Sequence, residues 1–70
     1  MARLTKNEAR ALCSVFGIDP SHDWHAMSST MKEAVLRAAD AHKYRKPKNA
    51  NGSRGRYFAK YLRRVIEKEE

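Results

Sequence analysis

The sequence predicts an all-α fold: a small three-helix domain spanning residues 1–70 as a single unit, with a basic loop before the third helix. Apolar residues recur at helical spacing in three segments, turn-forming residues separate those segments, and no segment alternates as a strand does. A domain of this size buries only about 60% of its unfolded surface. The predicted core is therefore small.

The first helix is predicted over residues 6–16. Thr5 and Glu8 fit a capping box, in which each side chain accepts a hydrogen bond from the backbone N–H of the other residue. Gly17 favours the left-handed conformation that ends a helix. The apolar residues between these signals recur at spacings of three and four, and they are Ala9, Leu12, Cys13 and Phe16.

The second helix is predicted to begin with Thr30 as its cap, because Thr30 and Glu33 repeat the capping-box pattern. It is predicted to end at residues 42–43. Before it, Trp24 and Met27 are expected to fill the core from a loop or a single helical turn. The apolar stripe of this helix is small in the middle, which is typical of a close helix contact, and it comprises Met31, Ala34, Val35, Ala38, Ala39 and His42.

Residues 46–53 are rich in turn formers and hold no large apolar side chain, so they are predicted to form an exposed loop. Ser53 is predicted to cap the third helix. Tyr44 is expected to be a partly buried anchor, with stacking on an unpaired base as the alternative. The third helix carries a broad apolar face formed by Tyr57, Phe58, Tyr61, Leu62, Val65 and Ile66.

The net charge of +7 is confined to the last 28 residues. Residues 1–42 carry five basic and five acidic side chains, whereas residues 43–70 carry ten basic and three acidic ones. From Lys43 to Arg64 there are nine basic residues and no acidic one. Because a field of one sign attracts polyanions and accelerates their encounter, nucleic acid is the first partner that the sequence predicts.

The predicted binding residues lie in the segment 43–56 and on one side of the third helix. At about 100° per residue, the side of that helix opposite its apolar face carries Arg56, Lys60, Arg63 and Arg64. Lysine and arginine are suited to phosphate, while asparagine and serine offer hydrogen bonds to phosphate or base edges. The predicted set is Lys43, Arg45, Lys46, Lys48, Asn49, Asn51, Ser53, Arg54, Arg56, Lys60, Arg63 and Arg64.

The charges of the third helix run against its dipole. Arg54 and Arg56 occupy its first turn and three glutamates follow near its end, whereas the dipole favours the opposite order by about 0.3–1 kcal/mol per exposed group. This order predicts an anion site at the helix start, with Gly55 permitting close approach of a phosphate or carboxylate. A merely tolerated surface is the alternative. Glutamates at both arginines are expected to abolish binding and to leave the helix intact or slightly more stable.

The segment from Tyr44 to Phe58, YRKPKNANGSRGRYF, resembles one found in small uncharacterised proteins of tailed bacteriophages and prophages. The resemblance implies expression inside an infected bacterium. Because no established activity accompanies such proteins, it transfers no functional residue to this chain.

No cofactor, no metal site and no catalytic activity is expected. His22, Asp23 and His25 with Cys13 supply only one half of a zinc-binding pattern. Nucleophile turns and phosphate-loop fingerprints are absent from the sequence. The chain also lacks an apolar run of about 18 residues, a signal peptide and a lipidation motif, so no membrane contact and a cytoplasmic location are predicted. The phage resemblance implies that this cytoplasm is that of an infected bacterial host.

Two functions fit these observations. In the first, the protein binds the phosphate backbone of DNA or RNA. About ten residues separate helices two and three, too many for the three or four of a helix-turn-helix motif. In the second, it is a phage-encoded antagonist that docks its basic face on an acidic host protein. A virion or assembly component and a homo-oligomer that shares the stripe of the second helix both stay open.

Overall fold

Three α-helices and one short turn of 3₁₀ helix make up the fold. The computed structural model of the chain describes residues 4–45, 48 and 52–68. The helices are α1 (Lys6–Phe16), α2 (Ser29–Ala41) and α3 (Arg54–Lys68), and the 3₁₀ turn is Trp24–Ala26. The described residues contain no strand. The predicted all-α fold of three helices is therefore confirmed.

The signals at both ends of α1 act as predicted. The Thr5 hydroxyl accepts a hydrogen bond from the Glu8 N–H at 3.2 Å, and the Glu8 carboxylate accepts one from the Thr5 N–H at 3.0 Å. These hydrogen bonds hold the pKa of Glu8 below its usual value. Gly17 takes a φ of 67°, which ends the helix in the left-handed conformation.

The start of α2 differs from the prediction. The Ser28 hydroxyl caps the helix by accepting a hydrogen bond from the Met31 N–H at 3.2 Å, so the prediction that Thr30 is the cap is wrong. Ser28, Ser29 and Thr30 all carry hydroxyls that are able to cap a helix, so the local signal is degenerate. Burial of Met27 directly before Ser28 accompanies the earlier start.

The core lies between one face of each helix and the α1–α2 connection. Val35, Phe58 and Leu62 are fully buried, as the predicted apolar faces of α2 and α3 require. The assignment of His42 to the α2 stripe is wrong, because the helix ends at Ala41 and His42 is exposed. Phe16 and Trp24 pack against this core but are only half-buried. The buried residues are Ala9, Leu12, Ile18, Met27, Val35, Ala38, Ala39, Phe58, Ala59 and Leu62.

The first turn of α3 packs tightly against the 3₁₀ turn and α2 at Gly55, which is buried. A Cβ atom at this position would lie 2.7 Å from Trp24 Cη2 and 3.0 Å from Leu36 Cδ2. Such distances are too short for a side chain to be accommodated without movement of its neighbours. Gly55 therefore allows the backbone of α3 to approach the core closely.

Candidate nucleic-acid interface

Tyr44 fixes the segment that follows α2 against α3. Its ring packs edge-on against Phe58 at a centroid distance of 4.9 Å and lies 5.7 Å from the ring of Tyr61. Burial raises the pKa of the Tyr44 hydroxyl, Tyr61 raises it further, and Arg64 acts in the opposite direction. The prediction that Tyr44 is a partly buried anchor is confirmed.

Cations from two parts of the chain lie near Tyr44. Arg64 lies near enough to Tyr44 to influence its pKa. Lys43 and Arg45 flank Tyr44 in the chain and are both exposed. Lys43 has a φ of 53°, a left-handed conformation at the turn that follows α2. Lys43 and Arg45 therefore lie within one residue of the position where Tyr44 meets α3.

The exposed side of α3 carries a group of basic residues that we call the cationic face: Arg56, Lys60, Arg63 and Arg64. Lys60, Arg63 and Arg64 are exposed, and together with Glu67 they line a shallow groove. Arg63 Nε lies 3.1 Å from Glu67 Oε1. Both side chains are more than half exposed, so this ion pair contributes little to stability. Within the described residues, no carboxylate lies at ion-pair distance from Lys60 or Arg64.

The start of α3 is engaged by contacts within the protein. The Ser53 hydroxyl accepts a hydrogen bond from the Arg56 N–H at 3.2 Å, so the predicted cap is confirmed. The Arg54 guanidinium forms an ion pair with Asp40 in the last turn of α2. Gly55 is covered by the core, so the expectation that it admits an external anion is wrong. The capping N–H, the glycine and one arginine of the predicted anion site already have partners in the fold.

We expect Asp40 to determine how a glutamate at position 54 affects stability. In the unaltered background, Arg54→Glu removes an ion pair and places two carboxylates together, which opposes the favourable interaction with the helix dipole. In an Asp40→Asn background only the dipole effect remains. The two effects on the free energy of unfolding should differ by about 0.5–1 kcal/mol in a double-mutant cycle measured by urea denaturation. Equal effects in both backgrounds would contradict a role of this pair in the fold.

The remaining predicted residues fall into two groups. Lys46, Asn49 and Asn51 lie outside the described residues. Lys48 is described and exposed in a turn. The structure thus brings together the cations of α3 and places Lys43 and Arg45 beside Tyr44, but it directs Arg54 towards α2.

Sequence reasoning missed the two acidic residues that modify this surface. Glu67 lies on the exposed side of α3 and pairs with Arg63. Its spacing of four residues after Arg63 was the available signal, because residues i and i+4 are neighbours on a helix. Asp40 had no such signal, since it precedes Arg54 by fourteen residues.

A second polar cluster lies at the end of α1. The Asp19 carboxylate accepts hydrogen bonds from the Ser21 hydroxyl at 2.5 Å and the Ser21 N–H at 3.0 Å, and these lower the pKa of Asp19. Asp19 Oδ2 also lies 2.8 Å from His22 Nδ1. Burial raises the pKa of the nearby Cys13 thiol. Within the ranges that the structure describes, no three His, Cys, Asp or Glu side chains are grouped so as to hold a metal ion.

None of the helices in the described part of the chain combines the length and the apolar character that crossing a bilayer requires. No family model, curated protein or solved structure matches the chain.

Proposed function

We propose that the protein binds the phosphate backbone of DNA or RNA through the cationic face, assisted by Lys43 and Arg45. The observation that carries this proposal is the exposure of Lys60 and Arg64 on a helix side where no described carboxylate pairs with them. Both side chains are accessible to external phosphates. Burial of Phe58 and Leu62 on the opposite side of α3 holds the cations at fixed spacings.

Repulsion within the cationic face also supports a polyanionic partner. Lys60 lies four residues after Arg56, three before Arg63 and four before Arg64. Like charges at these helical spacings destabilise a helix by about 0.2–0.5 kcal/mol per pair. Among the described carboxylates Glu67 is the one that pairs with this face, and its ion pair is with Arg63. A row of phosphates would relieve the repulsion along the whole face.

In the setting that the phage resemblance implies, the ligand is nucleic acid in the cytoplasm of an infected bacterium. A backbone reader binds different sequences with similar affinity, because phosphate contacts carry no sequence information directly. The alternative partner, an acidic host protein, would instead form one specific complex through the same face.

We expect Arg64→Gln to weaken binding to a duplex of about 20 base pairs by about eightfold at 0.1 M monovalent salt, because each phosphate contact contributes about 0.9 to the dependence of log affinity on log salt. The matched control is Arg37→Gln, which removes the same charge from an exposed position on α2. The control should change affinity by less than about twofold. Fluorescence anisotropy with labelled duplexes of two unrelated sequences measures both variants.

Equal weakening by the two variants would contradict the assignment of binding to the cationic face. No binding of DNA or RNA by the unaltered protein at low salt would overturn the proposed function. Weakening of only one of the two duplex sequences would contradict backbone recognition.

A further inference from the structure

We infer that the nucleic acid bound by this surface is double-stranded, an inference that rests on the proposed function. Proteins that bind single strands without sequence preference combine a cationic groove with aromatic side chains on which unpaired bases stack. Availability of aromatic rings near the cationic face therefore distinguishes the two kinds of ligand.

All six aromatic side chains of the chain lie among the described residues, and none of them is exposed. Phe58 is fully buried, and the ring centroids of Tyr44 and Tyr61 lie 4.9 and 6.3 Å from its own. The Tyr61 hydroxyl accepts a hydrogen bond from the Leu4 N–H at 3.0 Å. Phe16 of α1 packs against the core. These four rings are committed to the fold.

The other two rings are partly covered by neighbouring residues. Trp24 contacts the backbone of α3 at Gly55, and Lys32 Nζ lies 5.6 Å from the centroid of its ring. Tyr57 borders the cationic face in helical angle. The Arg56 guanidinium carbon lies 5.9 Å from the centroid of the Tyr57 ring, and Tyr57 is half-buried. The cationic face therefore offers charge without an open platform for stacking.

The spacing of the cations suits a stiff duplex. From Arg56 to Arg64 the cationic face extends about 12 Å along α3, at 1.5 Å per residue. This length is close to the width of the B-form major groove, about 12 Å, which separates the two phosphate backbones. A duplex presents its phosphates already ordered at high charge density. A single strand loses conformational freedom on this face and gains no stacking in return.

The test compares the affinity of the unaltered protein for duplex DNA, duplex RNA and single-stranded oligothymidine of equal length at 0.1 M salt. At least one duplex should bind about tenfold or more tightly than the single strand, because stacking is missing and the single strand has the lower charge density. Tyr57→Leu removes the aromatic ring that Arg56 of the cationic face contacts, and Tyr57→Phe is its matched control. Since stacking contributes about five- to 150-fold per base, Tyr57→Leu should change single-strand affinity by less than about twofold relative to Tyr57→Phe.

A single strand that binds as tightly as both duplexes would overturn this inference and leave the proposed function standing. A loss of about fivefold or more in single-strand affinity on Tyr57→Leu, with its helicity unchanged by circular dichroism, would also overturn it. If Tyr57→Leu does not fold, the affinities of the unaltered protein for the three ligands still decide whether it prefers a duplex to a single strand. Absence of binding to all three ligands would overturn the proposed function itself.

Discussion

Leu62→Ala is expected to lower the free energy of unfolding by about 2–5 kcal/mol, as truncation of buried leucines typically does. The side chain of Leu62 is 0% exposed and belongs to the core between α3 and the other helices. Without a disulfide, a bound metal or an oligomer contact, a core of this size rarely gives a free energy of unfolding above about 3–5 kcal/mol. Most of the variant should therefore be unfolded at room temperature. Urea denaturation followed by circular dichroism measures the effect.

Val15→Ala is the matched control, because Val15 also lies on a helix but is 77% exposed. It should change the free energy of unfolding by no more than about 0.5 kcal/mol. Leu62→Met approximately keeps the side-chain volume and should cost less than about 1.5 kcal/mol. Native-like stability of Leu62→Ala would mean that α3 does not pack on α1 and α2 in solution.

Affinity for duplex nucleic acid should fall by about 10³-fold between 50 and 200 mM monovalent salt if the binding surface contacts six phosphates. This estimate counts one phosphate for each of the four residues of the cationic face and one each for Lys43 and Arg45. Each contact releases condensed counterions, so log affinity should fall with log salt at a slope near about −5. Anisotropy titrations at several salt concentrations give the slope directly.

Arg64→Gln should make this slope shallower by about 1, whereas Arg37→Gln should leave it unchanged. A slope near zero for the unaltered protein would show that phosphate contacts do not dominate binding. A normal slope that Arg64→Gln leaves unchanged would place the phosphate contacts on another surface.

The fold was largely predictable where its signals are local. The cap and the end of α1 depend on Thr5, Glu8 and Gly17, which act within one helical turn of their own positions. The apolar face of α3 was equally clear, because Phe58 and Leu62 stand four residues apart and both are buried. Helix capping and amphipathicity connect residues three or four positions apart. Both features can therefore be identified from the spacing of residues in the sequence.

Local signals were insufficient at the start of α2 and at the contacts of Tyr44. Three adjacent hydroxyl residues made the start of α2 ambiguous, and the structure uses Ser28. The partial burial of Tyr44 was expected from its position at a helix end. Its ring partners, Phe58 and Tyr61, come from a helix that begins ten residues later, so no spacing rule identifies them.

The sequence by itself determined the three helices and the confinement of charge to the last 28 residues. Only the tertiary structure decided which groups occupy the start of α3. There Arg54 forms an ion pair with Asp40, and Gly55 packs against Trp24. The sequence alone predicts that these two α3 residues bind an external anion. Their partners lie on other elements of the fold, and contacts between distant segments are specified by packing of the whole chain and leave no periodic pattern in the sequence.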